Sequence, residues 1–231
     1  MPRRLPGLYA VTPDGLPDAR LLDQVGQALA AGVRLLQYRA KAPGGGAADG
    51  AGAARAQAAT ARTIAAACGA SGALLIVNDD PALAASVGAH GVHLGRDDGT
   101  IAEARKHVGG ALVGVSCYDS LERALQAEAD GADYVAFGAM FPSRVKPSAV
   151  RASHELLAHA RARLRIPVVA IGGIDLDNAA GVLRAGADSL AVISAVFAAP
   201  DIGTAVRRFN ELIENETRGR TDTAAPRANH P

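Results

Sequence analysis

The sequence has little of what marks several large classes of protein. Tryptophan is absent and aromatic residues make up 3%, so stacking platforms for single-stranded nucleic acid are not expected. The net charge of +1 gives no electrostatic basis for binding nucleic acid or a membrane surface. No apolar run approaches the roughly 20 residues that span a bilayer. The two cysteines, Cys68 and Cys117, lack metal-ligand spacing, so both are expected to be buried apolar groups. We expect a cytoplasmic protein that binds neither nucleic acid nor membrane.

What the sequence does have is a regular alternation of strand and helix patterns. Short apolar runs alternate with segments of helical spacing, and several helices end in glycine directly before a strand, as in AAGVRLL, DGADYVAF and AGADSLAV. The strands lack period-two alternation, which indicates burial on both faces of a parallel sheet. Eight such units predict a single (β/α)8 TIM barrel over residues 1–215. Residues 216–231 are polar and are predicted to be a disordered tail.

Local signals predict where these elements begin and end. Thr100 with Glu103 three residues later predicts a capping box at the start of a helix, and the last amphipathic helix is predicted at Ile202–Ile213. A doubly wound sheet is the alternative, but it would place a glycine-rich turn after the first strand, where TPDG stands. The predicted strands are Gly7–Val11, Val33–Tyr38, Leu74–Val77, Gly91–Leu94, Leu112–Cys117, Tyr134–Gly138, Pro167–Ile171 and Ser189–Ser194.

Acidic residues follow two neighbouring predicted strands. Asn78, Asp79 and Asp80 follow the third strand, and Asp97 and Asp98 come shortly after the fourth. Because parallel strands end at the same edge of a sheet, these carboxylates are expected to gather there. They repel one another unless a cation or a charged ligand lies between them. The alternative is a pair of ordinary polar loops that end strands.

Basic and hydroxyl groups end other strands. Gln37, Arg39 and Lys41 alternate along the second strand, so their side chains lie on one side and can hold a diphosphate. The alternative is an exposed basic strand end. Ser116 ends the fifth strand and is suited to hydrogen bonding, since no His or Asp partner for nucleophilic attack is evident. His93 lies inside a strand and is expected to be a satisfied barrel-lining histidine.

The last three strands carry a second anion site. Loops after the seventh and eighth strands form the phosphate site of many barrels, and here they begin with Gly172-Gly173 and Ser194. Gly138 permits close backbone approach after the sixth strand. Paired acids beside a basic clamp suit Mg²⁺, which binds one or two carboxylates plus substrate phosphates. A monophosphate and a metal-bound diphosphate in one pocket indicate two substrates, with diphosphate as leaving group.

In order, the motifs QYRAK, VNDD, GVHLGRDD, GVSCY, GADYVAFGAMFPSRVK, PVVAIGGI and GADSLAVISAVF resemble the thiamine-phosphate synthase family. The resemblance extends from about residue 7 to 200. It implies a transferase of thiamine biosynthesis that joins 4-amino-2-methyl-5-(diphosphooxymethyl)pyrimidine to a thiazole phosphate. Diphosphate is released in a Mg²⁺-dependent dissociative substitution, with one Mg²⁺ per active site and small-molecule substrates as the partners.

The resemblance also implies a role for each matching residue. Asp79 and Asp98 would bind Mg²⁺, which selects the second acid of the Asp97-Asp98 pair. The catalytic residues would be Arg39, Lys41, Ser116 and Lys146. The substrate-binding residues would be Gln37, Arg39, Lys41, Asn78, Ser116 and Lys146 for the pyrimidine diphosphate, and Ser143, Arg144, Val145, Gly173, Ile193 and Ser194 for the thiazole phosphate.

The sequence departs from the family pattern at several of these positions. Val145 replaces a hydroxyl residue in the phosphate-binding segment, and Asp80 stands where arginine is usual. Arg96 replaces a common glutamine, Ala139 a common proline, and Tyr118 a common histidine or threonine. Two alternatives therefore stay open: a thiazole tautomerase of the same superfamily, which needs no metal or diphosphate clamp, and a non-catalytic phosphate-binding barrel.

Overall fold

Eight parallel strands form a closed barrel in the computed structural model, which describes residues 5–41, 50–142 and 150–223. Each strand pairs with the next along the chain, and the last pairs with the first, where Tyr9 lies opposite Ala191. The predicted barrel is confirmed, and the doubly wound alternative is wrong because that sheet stays open. The strands are β1 (Leu8–Val11), β2 (Leu35–Tyr38), β3 (Leu74–Asn78), β4 (Gly91–Leu94), β5 (Leu112–Tyr118), β6 (Tyr134–Phe137), β7 (Val168–Ile171) and β8 (Ser189–Val192).

Helices surround the barrel and share an apolar layer with the outward faces of the strands. The predicted capping box is confirmed: the Thr100 hydroxyl accepts from the Glu103 N–H at 3.2 Å, and the Glu103 carboxylate accepts from the Thr100 N–H at 2.8 Å. The helices are α1 (Asp18–Ala30), α2 (Ala51–Ser71), α3 (Pro81–Ser86), α4 (Ile101–Val108), α5 (Leu121–Ala129), α6 (His154–Arg163), α7 (Ala179–Ala185), α8 (Ser194–Phe197) and α9 (Ile202–Thr223).

The inward strand faces form a second, smaller core. Five of the eight strands are buried along their whole length, which confirms the burial on both faces predicted from the sequence. Gly114 is required inside this core, because a Cβ atom at that position would overlap the ring of Tyr134. The interior apolar cluster consists of Tyr9, Val11, Leu35, Ile76, Leu112, Tyr134, Ala136, Val169 and Ala191.

The repeated Gly-Ala-Asp motif precedes strands β6 and β8, and its aspartate accepts a hydrogen bond from the neighbouring strand. Asp133 lies just before β6, and its carboxylate accepts from the Val113 N–H of β5 at 2.8 Å. Asp188 lies just before β8 and accepts in the same way from the Val168 N–H of β7 at 2.9 Å. The aspartate of each repeat therefore ties its own strand to the preceding strand.

Several predicted strand ends differ from the structure by one or two residues, and the predicted end of the last helix differs by more. β8 ends at Val192, since Ser194 already begins the unpredicted short helix α8. β5 continues to Tyr118, and its pairing with β6 is irregular after Ser116. α9 extends beyond Ile213 to Thr223, so residues 216–223 of the predicted disordered tail are helical, and Glu216 at the start of this extension pairs with Arg184 of α7 at 2.9 Å. Residues 224–231 of that tail lie outside the described residues.

Two predictions made from features that the sequence has little of, cysteine and long apolar runs, can be compared with the structure. Cys68 and Cys117 are free and fully buried, as predicted. Burial raises the pKa of the Cys68 thiol to about 11 and that of the Cys117 thiol to about 12. Within the described ranges, no helix combines the length and the apolar character that crossing a membrane requires.

Candidate active site

The basic end of β2 is held in place by the loop that follows β1. The Thr12 hydroxyl accepts from the Arg39 N–H at 2.8 Å and donates to the Arg39 carbonyl at 3.1 Å. The Asp14 carboxylate accepts from the Arg39 guanidinium and, at 3.0 Å, from the Lys41 N–H. Arg39 is therefore fixed through both its backbone and its side chain, with 14% of that side chain exposed.

Lys41 connects this basic end to the acidic residues after β3. Its Nζ lies 2.6 Å from Oδ2 of Asp79, and both side chains are partly buried. Asp79 has a φ of +64°, a left-handed conformation that is uncommon for a residue other than glycine and is concentrated at functional sites. The predicted anion clamp and the predicted acids therefore meet at one edge of the barrel.

Asp98 lies beside Asp79, whereas Asp80 and Asp97 are exposed. The Asp98 carboxylate accepts from the Gly95 N–H at 2.7 Å and shares a side-chain hydrogen bond with Asp79. Burial, together with this contact and the charge of Asp79, raises the pKa of Asp98. Asp80 is occupied elsewhere, since its carboxylate caps α3 by accepting from the Leu83 N–H at 2.8 Å.

The pair Asp79 and Asp98 has the chemistry of a small divalent-cation site. A carboxylate whose pKa is raised beside a second carboxylate is relieved of that repulsion by a bound cation. Among the residues that the structure describes, no group of three or more His, Cys, Asp or Glu side chains is placed to hold a metal. Such a pair nevertheless fits Mg²⁺, which completes its coordination with water and substrate phosphates.

Five polar side chains form a continuous chain of hydrogen bonds through the barrel interior. The amide of Gln37 donates to the Tyr9 hydroxyl at 2.8 Å, and the hydroxyls of Tyr9 and Tyr134 are 2.9 Å apart. Nδ1 of His93 lies 3.1 Å from the Tyr134 hydroxyl, and Nε2 of His93 lies 2.9 Å from the Ser116 hydroxyl. The chain crosses the barrel from the anion clamp on β2 to Ser116 on β5.

His93 agrees with the expectation for its own strand position but gives Ser116 a partner that was not predicted. It is buried and hydrogen-bonded at both nitrogens, as expected for a barrel-lining histidine. Burial lowers the pKa of His93 to about 4, against a smaller raising effect of Asp98, so the ring is neutral at pH 7. The prediction that Ser116 has no His partner was wrong. Pairing of the adjacent strands β4 and β5 brings residues that are distant in sequence into contact.

The ends of β6 and β7 pack closely through glycine. Gly173 has a φ of +63°, and a Cβ atom there would lie 2.7 Å from the Pro142 carbonyl oxygen. The Gly172 carbonyl accepts from the Phe141 N–H at 3.0 Å, so the loop after β6 lies against the loop after β7. The predicted phosphate-binding residues Ser143, Arg144, Val145 and Lys146 lie outside the described residues.

Ile193 and Ser194 lie at the adjoining strand end. Ile193 is partly buried and directly precedes α8, and Ser194 is exposed as the first residue of that helix. Asn178 also lies in this region, donating its amide to the Gly173 carbonyl at 3.0 Å. Gly173, Ile193 and Ser194 therefore lie at the carboxyl ends of neighbouring strands, while their contact with a phosphate stays a prediction.

Two of the departures from the family pattern contact each other. The guanidinium of Arg96 lies 4.7 Å from the ring centroid of Tyr118, a cation–π arrangement. Tyr118 has a φ of +57°, and Arg123 lies on the same ring at 5.8 Å. Arg123 also donates from Nε to the Ser116 carbonyl at 2.9 Å. These contacts join the loop after β4 to the end of β5.

The sequence model of a protein family described as thiamine monophosphate synthase matches residues 8–196. The chain belongs to this family. A thiamine-phosphate synthase of Azoarcus sp. is 56% identical over 202 residues, covering 87% of this chain and 94% of the relative. The thiamine-phosphate synthase of Methylococcus capsulatus is 49% identical over 221 residues, covering 94% of this chain and 95% of the relative.

A solved structure of the family agrees with these relatives. The thiamine phosphate pyrophosphorylase from Pyrococcus furiosus superimposes with a TM-score of 0.78 at 36% identity, covering 91% of this chain and 96% of that one. The family resemblance inferred from the motifs is therefore confirmed, and with it the expectation of a transferase of thiamine biosynthesis.

Proposed function

We propose that the protein joins 4-amino-2-methyl-5-(diphosphooxymethyl)pyrimidine to a thiazole phosphate, giving thiamine phosphate and diphosphate. The observation that carries this proposal is the contact between the basic end of β2 and the acids after β3 and β4. Lys41 lies 2.6 Å from Asp79, and Asp79 hydrogen-bonds Asp98. A diphosphate needs cationic side chains on one side and a metal on the other, and this edge offers both kinds of group.

We assign the metal position to Asp79 and Asp98. When bound, Mg²⁺ supplies positive charge that makes diphosphate a better leaving group. Arg39 supplies a fixed positive charge from the other side, since Asp14 and Thr12 hold it before any substrate arrives. Preorganised charge of this kind is most effective where negative charge accumulates during the reaction.

The reaction needs no covalent nucleophile from the protein. The carbon–oxygen bond to the diphosphate breaks with both electrons leaving on oxygen, and the electron-rich aminopyrimidine stabilises the resulting methylene cation. The thiazole nitrogen then donates its lone pair to form the new carbon–nitrogen bond. In this scheme Arg39, Lys41 and Lys146 stabilise the leaving group, while Gln37, Asn78 and Ser116 orient the pyrimidine substrate.

The thiazole phosphate is assigned to the strand ends opposite the acids. Gly173 lies in the loop after β7 with a positive φ, and Ile193 and Ser194 directly follow the neighbouring strand β8. Ser143, Arg144 and Val145 belong to this proposed site by the family pattern. Backbone amides and Arg144 compensate for the missing hydroxyl at Val145.

The test is to incubate the purified protein with both substrates, with and without Mg²⁺, and to measure thiamine phosphate and diphosphate. We expect equal amounts of both products, with formation that requires the metal. A tautomerase would form no thiamine phosphate under any condition, and a non-catalytic barrel would bind phosphate compounds without turnover. Absence of product with Mg²⁺ present would contradict the proposal.

A matched pair of variants tests the metal assignment. Asp98→Ala is expected to lower kcat/KM at least about 100-fold, because a catalytic cation contributes several kcal/mol to transition-state stabilisation. Asp97→Ala removes an equal charge from the adjacent exposed position and is expected to retain activity. If the Asp97 variant were the inactive one, the assignment within this pair would be wrong.

A further inference from the structure

The hydrogen-bond chain through the barrel interior has a direction that its end groups impose. The Gln37 Nε2 can only donate, so the Tyr9 hydroxyl accepts from it and has its own hydrogen left for Tyr134. The Tyr134 hydroxyl accepts from Tyr9 and can then donate only to Nδ1 of His93. A neutral imidazole that accepts at Nδ1 carries its hydrogen on Nε2. That hydrogen points at the Ser116 oxygen, 2.9 Å away.

Ser116 stands at the end of this chain with one hydrogen left to donate. Its oxygen accepts from His93, so the hydroxyl hydrogen is turned away from the imidazole. Ser116 is partly exposed on β5, whereas Tyr9 and Tyr134 are buried with 1% and 0% exposure. The side of Ser116 that is open to a ligand is therefore its donor side.

We propose that His93, oriented by Tyr134 and Tyr9, is a positioning residue that fixes the Ser116 hydroxyl as a hydrogen-bond donor to the bound pyrimidine diphosphate. The inference rests on the proposed function for the identity of that ligand. The acceptor it fits is a ring nitrogen or a diphosphate oxygen, since both carry lone pairs and no hydrogen. Ser116 is the group that touches substrate, and His93 acts through it.

The packing around the chain supports a positioning role. The ring of His93 stacks on Tyr134 with centroids 5.6 Å apart and an interplanar angle of 26°. Tyr134 in turn packs edge-on against Tyr9 at 6.1 Å, and Gly114 leaves the space that the Tyr134 ring fills. Each ring is thus held by a contact as well as by a hydrogen bond, so the imidazole has one available orientation.

Two substitutions of His93 separate its two nitrogens. The amide of glutamine reaches the position of Nε2, so His93→Gln retains a donor for Ser116. The amide of asparagine reaches only the position of Nδ1, so His93→Asn retains an acceptor for Tyr134 and loses the donor. We expect kcat about tenfold lower in His93→Asn, the effect of one lost hydrogen bond. His93→Gln is expected to restore most of that rate.

A double-variant cycle with Ser116→Ala distinguishes positioning from a general structural effect. In the Ser116→Ala background, His93→Asn should lower kcat no further, because the hydroxyl that His93 orients is gone. The KM for the thiazole phosphate should stay unchanged in every variant. If His93→Asn lowered kcat by the same factor with and without the Ser116 hydroxyl, the proposal would be overturned.

A spectroscopic measurement tests the chain without relying on activity. Nitrogen-15 shifts of the full-length protein at pH 7.5 should assign His93 to the Nε2–H tautomer, with its signals identified by their loss in His93→Gln. Ser116→Ala should shift Nε2 more than Nδ1. An Nδ1–H tautomer would overturn the proposal. If the wild type formed no thiamine phosphate, the proposed function would be contradicted. The tautomer of His93 would still support or contradict the positioning of Ser116, because that measurement does not depend on turnover.

Discussion

Replacement of Gly114 by alanine should destabilise the protein through one contact. A Cβ atom at Gly114 would overlap the Cζ, Cε2 and Oη atoms of Tyr134, whose ring is fully buried and cannot turn toward solvent. The ring must therefore shift, and its hydroxyl then moves away from both Tyr9 and His93. The variant perturbs the packing and the hydrogen-bond chain at the same point.

The expected magnitude follows from three contributions. Alanine restricts the unfolded chain more than glycine does, which stabilises the native state by about 0.4–1 kcal/mol. Overpacking of a dense core costs about 1–3 kcal/mol, and two lost hydrogen bonds of Tyr134 cost about 1 kcal/mol each. The balance is a destabilisation of about 2–4.5 kcal/mol, which leaves a domain of ordinary stability folded at 25 °C.

Urea unfolding measures this change as a lower midpoint at an unchanged m-value. The matched control is Gly26→Ala in α1, where a Cβ atom would meet nothing within 4 Å and the residue is exposed. That control should be more stable than the wild type by about 0.5–1 kcal/mol, because glycine is unfavourable inside a helix. A Gly114→Ala variant as stable as the wild type would refute the packing argument.

Two further predictions concern the helix cap and the buried imidazole. Thr100→Ala removes the capping box of α4 and should cost about 1 kcal/mol in urea unfolding, without changing activity, because Thr100 is exposed. Burial lowers the pKa of His93 to about 4 from its ordinary value of 6.5, so the unfolded chain binds an additional proton between these values. Stability should therefore fall as pH decreases from about 6.5 to 4, by up to about 3 kcal/mol, and His93→Gln should lack that part of the pH dependence.

The strands were predictable because their signals are local. Gly91–Leu94 is a short buried run bounded by polar turns, and the structure has β4 with those same bounds. Thr100 carried a complete capping signal within four residues, and it was found. The end of α9 was missed because no apolar residue between Ile213 and Thr223 marks a helix, whereas the helix continues to Thr223 and is tied to α7 by the ion pair of Glu216 with Arg184.

The residues that hold Arg39 could not be found in the same way. Thr12 and Asp14 belong to a turn sequence, and nothing near them indicates a partner. Their role arises because β1 and β2 pair in parallel with Val11 opposite Gln37, which brings the loop after β1 beside Arg39. A closed barrel makes such neighbours predictable in principle, once the register of each strand is known.

The interior chain depends on still longer separations. Tyr9 and Tyr134 are 125 residues apart in sequence, and each alone is typical of an ordinary core aromatic. Only closure of the barrel directs their hydroxyls at one another across the interior. The signal that could have found them is the presence of tyrosine at inward positions of strands, since a buried tyrosine hydroxyl normally needs a partner.

Under the proposed positioning, the hydrogen on Nε2 of His93 gives a physical reason why the Ser116 hydroxyl would bind substrate and would not attack it. The sequence alone shows no His partner for Ser116, whereas in the structure His93 lies 2.9 Å from the hydroxyl. A general base must accept the serine proton, and Nε2 cannot accept while it carries a hydrogen of its own. The order of donors from Gln37 through Tyr134 places that hydrogen there. The same contact that would suggest a nucleophile by proximity would therefore make Ser116 a hydrogen-bond donor, which agrees with a proposed reaction that needs no covalent intermediate.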